Sequence, residues 1–256
     1  MTVNEFHEKL TELYPRSLSA EWDNDGIMVS ADTNAEVRRV LVTLDATDAA
    51  ICYAAAHGFD TVLAHHPMLF HGQRSVTPET FCGKRTVDAI KNGISVISLH
   101  TRLDAGEGGV NDMLVKKLGF GKAGGSFGDP EMPSICRYVD IAPVTAGELA
   151  SFVKKQLGSD CVRLTGDAGK TVKRLGLCGG GGGDFLWDAM DAGCDAFLTG
   201  ECGYNRSEDA AEEGLVTLEA GHFFTEVPVC ERLAELASSI AGAEFDYYDS
   251  LVSTVY

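Results

Sequence analysis

No stretch of the sequence approaches the roughly 18 consecutive apolar residues that a membrane-spanning helix needs, so no membrane association is expected. Basic residues are scarce: 21 Lys and Arg stand against 38 Asp and Glu, a formal net charge of −17. A nucleic-acid surface needs clustered Lys and Arg to displace phosphate counterions, so no nucleic-acid partner is expected either. The opening MTVNEFHEKLTELYP lacks a basic stretch followed by an apolar block. It reads as a short amphipathic helix rather than a secretory signal, and a cytoplasmic location is the expectation. No Cys-x-x-Cys pair occurs among the eight cysteines, Cys52, Cys82, Cys136, Cys161, Cys178, Cys194, Cys202 and Cys230. That spacing argues against a thiolate zinc site, and the apolar company of most of them predicts reduced, mostly buried thiols. A Gly-x-Ser-x-Gly elbow and a Cys/His nucleophile arrangement are absent as well. What is present is 256 residues, 45% hydrophobic and 23% charged, the composition of one large or two small globular domains.

The chain repeats itself. Shifted by 135 positions, residues 37–64 lie over residues 172–199 without a gap. Val37/Val172, Arg39/Arg174, Ala54/Ala189, Gly58/Gly193, Asp60/Asp195 and Leu63/Leu198 are identical. Each copy reads as an apolar strand, a turn, a helix, Gly-x-Asp and a second apolar strand. Further on, KNGISVISLHTRLDAGEGG resembles EEGLVTLEAGHFFTEVP at a shift of 121. Two such units predict an α/β fold of two pseudo-repeated lobes with mostly parallel sheets. The lobes are placed at 1–125, which C-terminal residues are able to complete, and at 126–256. The Gly- and Pro-rich segment 120–135 reads as a linker or long loop. Arg137–Ile141 reads as a strand, and Thr145 with Glu148 forms a capping box opening the helix TAGELASFVKKQLG. The aromatic and β-branched FDYYDSLVSTVY predicts a terminal strand.

Ligands of α/β sheets gather at the carboxyl ends of strands. The strand 61–64 ends in His65-His66-Pro67, where Pro67 holds His66 extended and stops the ladder. The strand 94–99 runs into His100-Thr101-Arg102-Leu103-Asp104, and the strand 215–218 into Glu219-Ala220-Gly221-His222-Phe223-Phe224-Thr225-Glu226. Three imidazoles (His65, His66, His222) and two carboxylates (Asp104, Glu226) suit a pair of divalent ions, zinc, iron or manganese. Such a centre would be a local positive exception on an acidic chain, so an anionic small molecule such as a nucleotide is its expected ligand. His7 and His57 read as polar members of helices and His71 as a loop residue, whereas His100 stays open. The run Gly179–Gly183 reads as a tight strand-to-helix turn in preference to a phosphate nest. Trp22 reads as a core anchor beside an Asx turn, and Arg102 as either a phosphate contact or a structural ion pair.

The motifs Glu21-Trp22-Asp23-Asn24-x-Gly26, His65-His66-Pro67-Met68-Leu69-Phe70, His100-Thr101-x-Leu103-Asp104 with Gly108-Gly109-Val110-Asn111-Asp112, Leu198-Thr199-Gly200-Glu201 and Gly221-His222-x-x-Thr225-Glu226 stand in one order. Together they resemble the NIF-three-like dinuclear metal-centre family, whose members are also labelled type 2 GTP cyclohydrolase I homologues. The resemblance runs from about residue 4 to the C-terminus. It implies two interlinked α/β lobes with a two-metal site in the cleft, assembly into a homohexamer, and metal ligation by His65, His66, Asp104, His222 and Glu226. The family label implies hydrolytic opening of the guanine imidazole ring of GTP, giving dihydroneopterin triphosphate and formate. Hydrolysis of another phosphorylated or cyclic-amide substrate, or a non-catalytic metal-handling or regulatory role for the ring, are the alternatives. The sequence departs from the family pattern at Asn205, where relatives often carry histidine, and at Asp25 and Ser30.

Overall fold

Helix α1 (Val3–Leu13) starts at a reciprocal capping box. Glu5 N donates to Thr2 Oγ1 at 3.2 Å and Thr2 N donates to Glu5 Oε2 at 2.8 Å, satisfying two backbone donors that the first turn leaves open. Its buried residues Val3, Phe6 and Leu10 recur at helical spacing, so one stripe turns inward. The computed structural model describes residues 1–254. After α1 come β1 (Gly26–Val29), β2 (Arg39–Asp45), α2 (Asp48–His57), β3 (Thr61–His66), α3 (Phe81–Lys91), β4 (Ser95–Ser98) and the short α4 (Thr101–Ala105). Then follow α5 (Val110–Lys117), β5 (Gly125–Phe127), β6 (Cys136–Thr145), α6 (Ala146–Leu157), β7 (Arg163–Thr165), β8 (Thr171–Cys178), α7 (Leu186–Asp191), β9 (Ala196–Thr199), α8 (Tyr204–Glu212), β10 (Val216–Glu219) and α9 (His222–Glu226). The chain continues through α10 (Val229–Ala241) and β11 (Glu244–Tyr248). No helix among the described residues is long and apolar enough to cross a membrane.

The chain divides into two units. The first comprises Met1–Leu103 with Val229–Leu251, and its sheet has the order β1-β4-β3-β2-β11. Only β1 runs antiparallel there; the other pairings are parallel. Its core sets Leu41, Val62 and Val96 of three adjacent strands against Ile51 and Ala54 of α2 and Ala89 of α3. The second unit is built mainly from Asp104–Pro228, with the sheet order β5-β6-β8-β9-β10-β7. Its centre, β8, β9 and β10, is parallel, and antiparallel strands flank it. Leu175, Leu177, Leu198 and Leu218 from this parallel centre pack with Leu149 and Val153 of α6. Each fully buried Leu, Ile or Val contributes roughly 1.5–3 kcal/mol of transfer free energy.

The division falls at Leu103/Asp104 and not at 125/126, because Leu114, Val115 and Leu118, on and just after α5, sit in the second unit's core. The segment 120–135 is therefore no linker: it lies within the second unit, where β5 adds an edge strand to β6. Elements α10 and β11 complete the first unit, β11 pairing in parallel with β2. The terminal strand ends at Tyr248; residues 249–254 have no regular structure, and the last two positions of the expected strand lie outside the described residues.

The repeat has a physical content in each copy. Gly58 and Gly193 follow the repeat helices at φ 71° and 72°, left-handed positions where glycine carries no Cβ penalty. Two residues on, Asp60 accepts from the amides of Arg38 and Arg39, and Asp195 from those of Lys173 and Arg174, pinning the start of the preceding strand. The Arg39 guanidinium donates to the His57 carbonyl, and that of Arg174 to the Ala192 carbonyl, satisfying helix-end acceptors. Val37/Val172, Ala54/Ala189 and Leu63/Leu198 are buried pairs. The identities thus preserve the mechanics of a strand-helix-strand unit, and none of the six positions belongs to the expected metal ligands.

Candidate metal centre

In the first unit, β3 delivers His65 and His66. Its run Thr61-Val62-Leu63-Ala64 is β-branched, aliphatic or small and wholly buried, and the ladder stops at Pro67, which has no N–H to give. Neighbouring residues of a strand point to opposite faces, yet the two rings end with centroids 4.9 Å apart because the strand is finishing there. His65 is fully buried and its Nδ1 donates to the Leu99 carbonyl at 2.9 Å. His66 donates from Nδ1 to Asp45 Oδ1 at 2.8 Å, and Asp45 is its register partner at the end of β2. His100 joins them: its ring centroid lies 5.4 Å from that of His65 and 5.7 Å from that of His66. One potential ligand nitrogen from each of these three rings lies within 4.8 Å of the others, so the group can hold a metal ion.

His100 is set by Asp23, which no sequence motif marked as a partner for it. Its Nδ1 donates to Asp23 Oδ1 at 2.8 Å, while Asp23 Oδ2 accepts from the Thr101 amide at 3.0 Å and the Thr101 hydroxyl at 2.5 Å. Burial raises the Asp23 carboxyl, but the hydrogen bond and charge of His100, with the two Thr101 bonds, outweigh it and bring it down to about 2.

In the second unit, α9 delivers His222 and Glu226. A spacing of four places both on one helix face, and His222 Nε2 lies 3.0 Å from Glu226 Oε2. His222 donates from Nδ1 to Glu201 Oε1 at 2.9 Å. A carboxylate oxygen of Asp104 lies within 4.8 Å of one of Glu226. Asn111 ties this region together: its amide nitrogen donates to the Asp104 carbonyl at 3.3 Å and the Ile135 carbonyl at 2.7 Å, and its oxygen accepts from Gly179 N at 2.8 Å.

One pattern recurs across these histidines. Each Nδ1 faces an oxygen that can only accept, which assigns the proton to Nδ1 and makes Nε2 the lone-pair nitrogen. That is the arrangement by which proteins orient metal-binding imidazoles. The donor set is nitrogen and oxygen, suited to zinc, iron or manganese. Cysteine does not contribute: no disulfide forms among the described residues, and burial pushes Cys194 up to about 12 and Cys202 up to about 11, away from the thiolate a metal would take. Burial is the rule for five of the eight, with Cys82 half-buried and Cys52 and Cys161 exposed.

The glycine run forms the floor beneath Glu226. A Cβ on Gly180 (φ 65°) would lie 2.1 Å from Glu226 Oε1 and 3.0 Å from His222 Nε2, so only glycine leaves that carboxylate its place. The backbone amides of Gly179, Gly180 and Gly182 donate to Asn111 Oδ1, Thr225 Oγ1 and Thr199 Oγ1. These donors are spent on the protein, so the run is a tight turn into the 3-10 segment Gly182–Phe185 and not an anion nest.

For Arg102 the structure decides between the two expected readings, and for Trp22 it corrects the expected one. Arg102 is fully buried, paired through Nε with Asp25 Oδ2 at 2.7 Å and through Nη2 with Asp25 Oδ1, and it donates to the Tyr14 carbonyl at 3.1 Å. It is a structural ion pair and no phosphate contact, and it gives the buried Asp25 carboxylate its partner. Trp22 is 61% exposed and not a core anchor, because the turn that buries Asp23 against Thr101 directs its neighbour outward. Asp45 stands in no motif, and the motifs holding Glu201 and Gly180 do not mark them as supports of the donors. On the shift of 135, Asp45 falls over Gly180, so the two copies carry a supporting residue at the same place.

Comparison with known proteins agrees with this reading of the fold. The profile of the Duf34/NIF3 (NGG1p interacting factor 3) family matches residues 1–250. A Clostridium perfringens protein named GTP cyclohydrolase 1 type 2 homolog is 34% identical over 239 residues, covering 92% of this chain and 90% of the relative. A Clostridium acetobutylicum protein of the same name is 32% identical over 232 residues, covering 89% and 86%. The crystal structure of a Staphylococcus aureus hypothetical protein superposes with a TM-score of 0.87 at 23% identity, over 98% of this chain and 97% of that one, a likeness of fold.

Proposed function

The chain belongs to the Duf34/NIF3 family, and from that membership and the donor geometry we propose a metal-dependent hydrolase with two divalent ions per chain, acting on GTP in the manner the relatives' name describes. His65, His66, Asp104, His222 and Glu226 are its proposed ligands. The observation that carries the proposal is the anchoring of each ligand imidazole through Nδ1, to Leu99, Asp45 and Glu201. A histidine kept for packing has no need of a fixed tautomer; a ligand does.

When bound, the ions supply Lewis acidity and activation of water for attack on an electrophilic carbon. The chain's residues do the rest. Asp45 and Glu201 hold protons on His66 and His222 Nδ1 and so leave Nε2 as the ligand nitrogen of each ring. The Leu99 carbonyl does the same for His65. Gly180 leaves room for the Glu226 carboxylate, and the Asp23–His100 pair places a further imidazole beside His65 and His66. Two waters cleave both bonds from C8 to ring nitrogen and release that carbon as formate; rearrangement of the ribose and closure of the freed amine onto its carbonyl carbon then return one water and give dihydroneopterin triphosphate.

The test is metal content per chain by plasma mass spectrometry, on the native protein and on His65→Ala and His222→Ala, one donor from each unit. About two equivalents are expected, with each variant losing at least one. Incubation of the loaded protein with GTP is then expected to release formate and dihydroneopterin triphosphate. Metal content unchanged in both variants would overturn the centre. Two bound ions without turnover of GTP would retire this substrate and leave hydrolysis of another cyclic amide, or a metal-handling role.

A further inference from the structure

Beside the first unit's histidines stands a group of rings that nothing in metal ligation requires. Trp22 is 61% exposed and Phe70 40% exposed, although both are large and apolar. Their centroids lie 5.9 Å apart at an interplanar angle of 72°, an edge-to-face contact. Each also meets His100 edge to face, Trp22 at 6.2 Å and Phe70 at 5.9 Å. The three rings form a corner one imidazole away from His65 and His66.

The corner is held in shape by polar contacts on both sides. The Trp22 turn is anchored through Asp23, which is buried against Thr101 and His100. The Phe70 loop is tied to the same turn by Asn24, whose side-chain nitrogen donates to the Leu69 carbonyl. A turn that places a charged residue inside and a tryptophan outside, and is then bonded to the loop bearing the second ring, is a built feature. Exposed tryptophan faces are costly in water unless something covers them. With 61% of its surface exposed, Trp22 keeps ring area that stacks well on a flat π-system.

We infer that Trp22 and Phe70 form a stacking face for a planar heteroaromatic ring, presented to the metal centre across His100. The inference rests on the proposed metal centre only for what the ring is presented to; the stacking face stands on the first unit alone. It also meets a difficulty of charge. The chain carries a net −17 and Arg102 is sealed in its ion pair, so attraction for a phosphate tail is weak there, whereas stacking holds a neutral ring without charge.

The experiment uses fluorescence. Trp22 and Trp187 are the only tryptophans, so a Trp187→Phe protein reports on Trp22 alone. Guanosine is the probe, with ribose 5-phosphate as the ringless control, in metal-free and metal-loaded protein. Saturable quenching by guanosine and none by ribose 5-phosphate is expected in both forms. Phe70→Leu is expected to weaken binding by about ten-fold, and calorimetry on Trp22→Leu to show a loss at least as large, base-aromatic stacking being worth roughly 1–3 kcal/mol. Equal affinity in native protein, Phe70→Leu and Trp22→Leu would overturn the proposal, as would absence of quenching in the metal-free form. A fall in oligomeric mass on Trp22→Leu, with no guanosine binding in the native protein, would overturn it too and make the face a contact between copies. Because ring binding is scored without metal, its failure is separate from failure of the hydrolase reading.

Discussion

Replacing Gly180 by alanine is expected to weaken metal binding while leaving the fold in place. The residue sits at φ 65°, where an L side chain costs roughly 1–2 kcal/mol. Its new Cβ would lie 2.1 Å from Glu226 Oε1 and 2.9 Å from the carboxyl carbon, far inside contact distance. The backbone has little freedom to yield: the Gly180 carbonyl accepts from the Gly200 amide, the Glu201 amide and the Thr199 hydroxyl, and its amide donates to Thr225 Oγ1. The carboxylate must therefore move, and displacing a ligand by this much is expected to lower affinity roughly 10–100-fold, in the range of lost supporting contacts at metal sites. Gly181→Ala is the control, since its φ is −86° and a Cβ there meets nothing within 4 Å. Competition with a chromophoric chelator reads affinity, and urea unfolding of the metal-free protein reads the strain. Equal affinity in the two variants would refute the claim that the glycine run exists to seat Glu226.

Arg102→Met removes one side of a fully buried ion pair and should cost about 3 kcal/mol in urea unfolding of the metal-free protein, since Asp25 is left buried with the partly exposed Arg16; an unchanged midpoint would restore the phosphate-contact reading. The Asp23 carboxyl is held at about 2 when folded, below its ordinary 3.8, so its contribution of about 2 kcal/mol is fully present above pH 3.8 and is lost as pH falls through 2. Stability of metal-free Asp23→Asn should be lower at neutral pH and should fall less steeply over that acid window; parallel curves would contradict the assignment. Light scattering is expected to give a particle of six chains, each of 27.3 kDa, and a monomer or dimer would contradict the hexamer that the family resemblance implies.

Much of the architecture was legible because it is local. The Thr145–Glu148 capping box, the strand-helix-strand repeat and the strand ends at His65, His100 and Glu219 are written in spacings of a few residues, which backbone periodicity translates directly into position. The domain boundary was less legible, since whether α5 belongs before or after it depends on which core Leu114, Val115 and Leu118 enter. Apolarity marks a residue for burial without saying against what.

The donor types and their places at a strand end or in the turn of chain that follows one were determined by the sequence itself, because residue chemistry and local periodicity suffice for both. Tertiary structure decided how those donors are oriented and which neighbours are spent on structure. Asp23 reaches His100 across 77 positions, and Asp45 reaches His66 and Glu201 reaches His222 across 21. Five consecutive glycines look alike in the chain, yet only the fold sets Gly180 against Glu226 and leaves Gly181 open. Of the two readings of Arg102 the fold selects the buried ion pair, because Asp25 offers a buried carboxylate, whereas Trp22 stands outside against expectation, because the anchoring of Asp23 turns it outward. Such outcomes depend on which groups packing brings within about 3 Å, the reach of a hydrogen bond, and no local spacing encodes that.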